Sequence, residues 1–235
     1  MKTIAKISAV CILLLTTSCM FDGIKGNRIV KTATRNVPSD FEAIRISNGI
    51  DVYLTMGNST SLKLEADENL HDIIQTEVED GVLRIYADQN IWSAKSKRIY
   101  LSAKEINDIK VTSGSELKTE NTLKTEDLKI TVTSGAEARM TLDVNNLSCS
   151  TTSGSDARLE GRANHFVAKS TSGSGLKASG LEAKTCEAHV TSGADISVNV
   201  SEELDASATS GGDIRYTGNP KKVRKNSSSG GDVRG

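Results

Sequence analysis

Apolar and polar residues alternate with a period of two through most of this chain, and the alternating unit is itself repeated. From Thr112 onward it is punctuated six times by Thr-Ser-Gly, with a Ser-Ser-Gly variant beginning at Ser228. The central serines, Ser113, Ser134, Ser153, Ser172, Ser192, Ser210 and Ser229, lie 21, 19, 19, 20, 18 and 19 residues apart. After the glycines come a small, an acidic, an apolar and a basic residue, as in Ala136-Glu137-Ala138-Arg139 and Gly212-Asp213-Ile214-Arg215, broken only by Gly175 in the acidic column and Ser197 in the basic one. Leu117, Ala138, Ala157, Leu176, Ile196, Ile214 and Val233 form one apolar column. Before the serine a second set recurs: Leu128, Ile130 and Val132 match Leu147, Cys149 and Thr151, then Cys186, Ala188 and Val190, then Leu204, Ala206 and Ala208. Period-two alternation means strands with one dry face. A unit of about 20 residues is one solenoid turn that buries its apolar side against its neighbours.

The expected fold is therefore all-β, a right-handed parallel β-helix (solenoid) of about 19–20 residues per coil, since crossovers between parallel strands are overwhelmingly right-handed. Each coil is expected to carry two strands, a Ser-Gly corner and a variable third side. A second corner is expected eight residues past the serine, at Gly161, Gly180 and Gly218. Residues 107–235 form the regular coils. Over 39–106 the repeat blurs but alternation persists, in Ile44-Arg-Ile46, Val52-Tyr-Leu54, Leu62-Lys-Leu64 and Ile99-Tyr-Leu101. This stretch is expected to be an irregular β-rich N-terminal cap, with a short helical turn inside 67–80. Ser47-Asn48-Gly49 reads as a degenerate repeat.

Composition narrows the picture. Only 3% of residues are aromatic, which suits a slender core of small and aliphatic layers. The net charge of −1 becomes −3 without the first 18 residues, which carry Lys2 and Lys6, and no basic stripe suggests a nucleic-acid partner. Residues 1–18 read as an export signal, with an apolar run from Ile7 to Leu15 too short to span a bilayer. Thr16-Thr17-Ser18-Cys19 resembles a bacterial lipobox, with Thr16 where Leu is usual. That resemblance makes Cys19 the lipid attachment residue, 19–38 a flexible tether and the membrane a partner. Met20 after the cysteine favours the outer membrane. Cys149 and Cys186 fall at inward steps two coils apart, roughly 10 Å between alpha carbons, beyond disulfide reach.

The candidate chemistry is sparse. The acidic and basic columns read as ionic ladders, and the nonapeptide of calcium-binding β-rolls is absent. Acid-base pairs that recur in every coil do not single out a catalytic constellation, and His71, His165 and His189 lack ligand spacing. The threonine column lacks the matching partner column of ice-binding solenoids. Ile91 and Trp92 lie in a polar segment, where Trp92 either closes the N-terminal cap or forms an exposed contact loop. Pro220 with Lys221, Lys222, Arg224 and Lys225 reads as charge protection of the last edge or as contact with an acidic partner.

Phe41-x-x-Ile44-x-Ile46-Ser47-Asn48-Gly49-Ile50-Asp51-Val52, Glu65-Ala66-Asp67-Glu68-Asn69-Leu70, Val78-x-Asp80-Gly81-x-Leu83-x-Ile85 and the serial Thr-Ser-Gly coils resemble the head GIN domain family, labelled auto-transporter adhesins. The resemblance implies an exported Bacteroidetes lipoprotein and supplies no catalytic residue. The expectation is a non-enzymatic, adhesin-like binding and display module without cofactors, facing a glycan or protein partner. Its alternatives are an envelope-stress or signalling component that docks another protein, and a polysaccharide-active β-helix enzyme.

Overall fold

The computed structural model describes residues 23–235, so the export signal and Cys19 lie outside the described residues. The chain is all-β, a solenoid of about seven turns in which parallel coils stack in register. One 3-10 turn, Glu68–Leu70, falls inside the stretch where a short helical turn is predicted.

The corners explain the repeat. All seven central serines have φ between 51° and 57°, and the glycines that follow them have φ between 67° and 79°. Positive φ at both central residues is the signature of a type I′ turn. The turn closes when the fourth residue's N–H donates to the first residue's carbonyl, as Ser115 does to Thr112 at 3.3 Å and Gly212 to Thr209 at 3.0 Å. Stacking ties successive corners together, since the Gly135 N–H donates to the Ser153 carbonyl at 3.1 Å and the Gly173 N–H to that of Ser192. Asn48 and Gly49 adopt the same pair of conformations, with φ of 64° and 69°, and so form the corner of a true first coil.

In the middle coils the chain between corners forms one continuous strand, as in Glu137–Thr152, Asp156–Thr171 and Gly175–Thr191 of 16 or 17 residues, whereas the flanking coils keep the two expected strands, Glu116–Thr119 with Leu123–Thr133 and Asp213–Thr217 with Lys222–Ser227. Pairing continues around the bend, so the third side is a curved part of the same strand. At this bend Gly161 and Gly218 have φ of 109° and 95°, and a Cβ on either would lie 2.0 Å from the Leu142 carbonyl oxygen or 2.4 Å from that of Val200. Gly180 does not share the positive φ.

Both apolar columns point inward, and Leu117, Ile196 and Ile214 are buried. Glu116, Glu137, Asp156, Gly175, Asp195, Asp213 and Asp232 face one another across the ladder. Gly175 breaks this acidic column, and the Asp156 carboxylate leans into the space it leaves, with Oδ1 2.4 Å from where a Cβ would sit. Arg139 bridges Glu116 and Glu137, pairing with Glu137 at 2.7 Å. Exposed pairs of this kind contribute about 0.2–1 kcal/mol each, so the ladder fixes register more than it stabilises. Cys149 and Cys186 are free, buried thiols whose pKa values burial pushes up to about 12.

The N-terminal third continues the same core, which is unbroken from Phe41 to Val233. Ala43–Ile46 and Asp51–Met56 form the first coil, in register with Asp108–Val111 and Glu116–Thr119. On its far side the pairing changes character. Val82–Ala87 and Lys97–Ala103 stack on it in parallel, and Ile74–Glu79 and Ser61–Asp67 then return antiparallel. These hairpin returns explain why the 20-residue period blurs here.

The tether assignment for 19–38 requires correction. Ile24–Lys25 pairs with Ile91–Ser93, and Val30–Arg35 pairs antiparallel with Ser61–Asp67, so the chain is built into the fold from Gly23 onward. Val30–Arg35 is an outer edge strand with mostly exposed side chains, so it never acquires the apolar alternation that would mark it in sequence.

Candidate functional site

Two places on the molecule depart from the repeating surface. The first is the corner where the chain enters the fold, organised by the fully buried Asp67. Its carboxylate accepts backbone N–H bonds from Arg28 at 2.9 Å, Lys95 at 3.1 Å and Ser96 at 3.0 Å. Burial alone would raise its pKa, but these donors of Lys95, Arg28 and Ser96 outweigh burial and hold the carboxyl below its ordinary value. Gly26 is obligatory beside it, because a Cβ there would lie 2.1 Å from Asp67 Oδ2. One carboxylate thus staples the entering chain to the loop that follows Trp92.

Ile91 and Trp92 lie in the three-residue strand Ile91–Ser93 of this corner. Ile91 packs partly against the core, whereas Trp92 is exposed. Lys25 Nζ sits 5.8 Å from the Trp92 ring centroid, a cation–π geometry. Trp92 therefore does not close the cap. Leu70, Ile73 and Ile74, by contrast, are buried in the core of the N-terminal third. Cys19 belongs to the residues outside those described.

The second place is a lateral hollow of about 680 Å³, which sequence reading did not locate. It follows the second bend across five coils, from Asp143 to Gly218, a length of roughly 19 Å at the usual strand spacing. Two outward columns line it, flanking the inward Val144, Ala163 and Ala183. One is Asp143, Arg162, Glu182 and Asn199, paired in register, and the other contains Asn164, Lys184 and Ser201. Arg162 holds Asp143 in a two-pronged bridge of 2.6 Å and 2.8 Å, a hydrogen bond that keeps the Asp143 carboxyl below its usual range. Asn164 donates to Asn145 at 2.7 Å, and Asn145 donates to Glu126 at 2.6 Å.

The hollow arises where the coils fall out of step. Ala178 pairs with Val198 but Glu182 pairs with Asn199, so Ser179, Gly180 and Leu181 of the longer coil find no partner in the shorter one. The one sequence signal for it is the succession of 20-residue and 18-residue spacings. Chemically it offers alternating acids, bases and amides at fixed intervals, with no aromatic platform. The histidines stand apart: His165 meets Thr185 Oγ1 at 2.9 Å, His189 is exposed, and His71 Nε2 lies 3.2 Å from the Lys31 carbonyl. Tyr53 and Tyr100 stack at 5.2 Å on the cap's outer face, with Lys63 Nζ 4.7 Å from the Tyr100 centroid. Sequence reading did not single out this pair, because the two rings are far apart in the chain.

The fold has solved counterparts. A "putative adhesin" from Bacteroides fragilis is 24% identical, with a TM-score of 0.84 over 90% of this chain and 99% of that one. A "putative lipid binding protein" from Parabacteroides distasonis is 22% identical, with a TM-score of 0.72 over 90% and 98%. A "putative adhesin" from Parabacteroides merdae is 21% identical, with a TM-score of 0.72 over 91% and 98%. At these identities the likeness concerns the fold. No curated protein matches the chain. A family model does match residues 40–220, and on that match the chain belongs to the family described as "Putative auto-transporter adhesin, head GIN domain".

Proposed function

We propose that this protein is an exported, non-enzymatic adhesin-like module, lipid-anchored at Cys19 in the outer membrane, which engages an extended hydroxyl-rich partner of the glycan type along the hollow between Asp143 and Gly218. The observation that carries this reading is the pair of polar columns, Asp143-Arg162-Glu182-Asn199 and Asn164-Lys184-Ser201, held at strand spacing over five coils. Hydroxyl-rich chains need alternating donors and acceptors, and carboxylate, guanidinium, amide and ammonium groups supply both. Strand pairing fixes their spacing before any partner arrives, which lowers the ordering cost of binding. The rest of the solenoid acts as a rigid spacer. Family membership supports adhesion as the general role.

Glycan-array and cell-binding assays on the wild-type protein and the Arg162→Ala/Lys184→Ala variant test the reading. Both side chains are at the surface, so the variant is expected to keep the wild-type melting temperature and to lose at least tenfold in binding. Unchanged binding would remove the hollow from consideration. Undiminished adhesion in cells lacking the protein would remove the adhesin reading itself.

A further inference from the structure

Among the described residues only three large hydrophobic side chains are exposed: Ile29 at 55%, Val30 at 36% and Trp92 at 56%. All three belong to the corner stapled by Asp67. Arg28, bonded to that carboxylate through its N–H, directly precedes Ile29, while Lys95 and Ser96, bonded to the same group, follow Trp92 closely. Residues 23–35 contain Lys25, Arg28, Lys31 and Arg35 and no acid, and the acids that pack beside them are Asp67 and Glu68. Lys31 is engaged by Glu68, and Arg35 donates to the carbonyls of Ile74 and His71. Lys25 rests over the Trp92 ring, and the charge of Arg28 acts on the Asp67 carboxylate without a direct side-chain ion pair among the described residues.

We infer that this corner is a membrane-docking surface for a bilayer carrying anionic phospholipids. Tryptophan and aliphatic side chains flanked by cations are what the headgroup boundary favours: the apolar parts enter it while lysine and arginine reach lipid phosphates. The length of chain leading to the corner selects this occupant over a protein. The inference rests on acylation at Cys19, and four Cα steps separate Cys19 from Gly23, at most about 14 Å when fully extended. An acyl chain in the membrane therefore keeps the point where the chain enters this corner within about 14 Å of the bilayer.

Trp92 is the chain's single tryptophan, so its fluorescence reports on this corner alone. The mature protein is purified from cell membranes, its Cys19 acylation is read by mass spectrometry, and it is reconstituted into phosphatidylethanolamine/phosphatidylglycerol vesicles with or without lipids brominated near the headgroup. Trp92 emission is expected to shift to the blue and to be quenched by the brominated lipid. Ile29→Ser/Val30→Ser, which alters only exposed side chains, is expected to reduce quenching at least threefold, and Lys25→Glu/Arg28→Glu to do the same only when phosphatidylglycerol is present. An acylated protein whose Trp92 emission stays solvent-like and fully open to iodide would overturn the docking surface while leaving the anchor intact. Were Cys19 found unacylated, the anchor would fall separately. Sedimentation of that protein with phosphatidylglycerol vesicles would then uphold the docking surface, and its absence from the pellet would overturn it.

Discussion

Gly114 and Gly161 both have positive φ, yet they impose different demands on a substituent. At Gly114, φ is 69° and nothing lies within 4 Å of a would-be Cβ. Alanine there meets only the left-handed backbone cost, about 1–2 kcal/mol. At Gly161, φ is 109° and the Cβ would sit 2.0 Å from a backbone oxygen of the neighbouring coil, which cannot retreat without breaking its own ladder. Gly161→Ala is accordingly expected to cost about 3 kcal/mol or more, clearly above Gly114→Ala. Urea denaturation of the two variants checks this, and equal midpoints would show that the close approach at Leu142 carries no weight. The repeat made both glycines visible in the sequence. It could not tell a corner facing open solvent from one pressed against a backbone, because that depends on the coil next door.

At the scale of elements, Asp67 decides whether the entering strands belong to the fold. A group whose pKa is depressed in the folded state stabilises that state above its unfolded value, near 3.9 for aspartate, and the contribution is lost as pH falls through the folded value. The corner should therefore be intact at neutral pH and loosen in acid below about pH 4. Asp67→Asn probes the same staple at neutral pH, since its amide nitrogen cannot accept from Lys95, Arg28 or Ser96 N–H groups. The expected loss is about 1–3 kcal/mol. Tryptic cleavage after Lys25 or Arg28 should quicken about tenfold, while the coils beyond residue 107 stay resistant; unchanged cleavage would mean that strand pairing alone holds the segment. The contrast with the coils shows where the sequence is readable. Coil positions such as Leu176 and Ile196 repeat, so each confirms the next. Val30–Arg35 occurs once, lies at an edge and is tied down by a carboxylate distant in the chain, a contact that no periodicity announces. The hollow lay between these cases, since its cause was present in unequal spacing but its lining required the register of five coils.

Across the whole molecule, strand pairing favours continued growth, and the sequence must specify where layering stops. The strand Lys222–Ser227 stacks on the coil before it, with Val223 on Leu204 and Lys225 on Ala206. Lys225 thus places a charge at an inward step filled in earlier coils by Ile130, Cys149, Ala168 and Ala188. Lys225 stays exposed at this step, and its ammonium lies 4.7 Å from the Tyr216 ring centroid and 3.5 Å from the Val233 carbonyl, which gives the head a polar partner. An inward lysine on an edge strand opposes addition of a further strand, because stacking would bury an unpaired charge. Lys225→Leu should leave the coils folded, or slightly more stable, and expose an apolar layer able to recruit another chain. Light scattering over a concentration series is expected to show larger species for Lys225→Leu, with Lys225→Arg behaving as wild type. Identical masses for Leu, Arg and wild type across that series would assign the barrier to the outward charges of Lys222 and Arg224 instead.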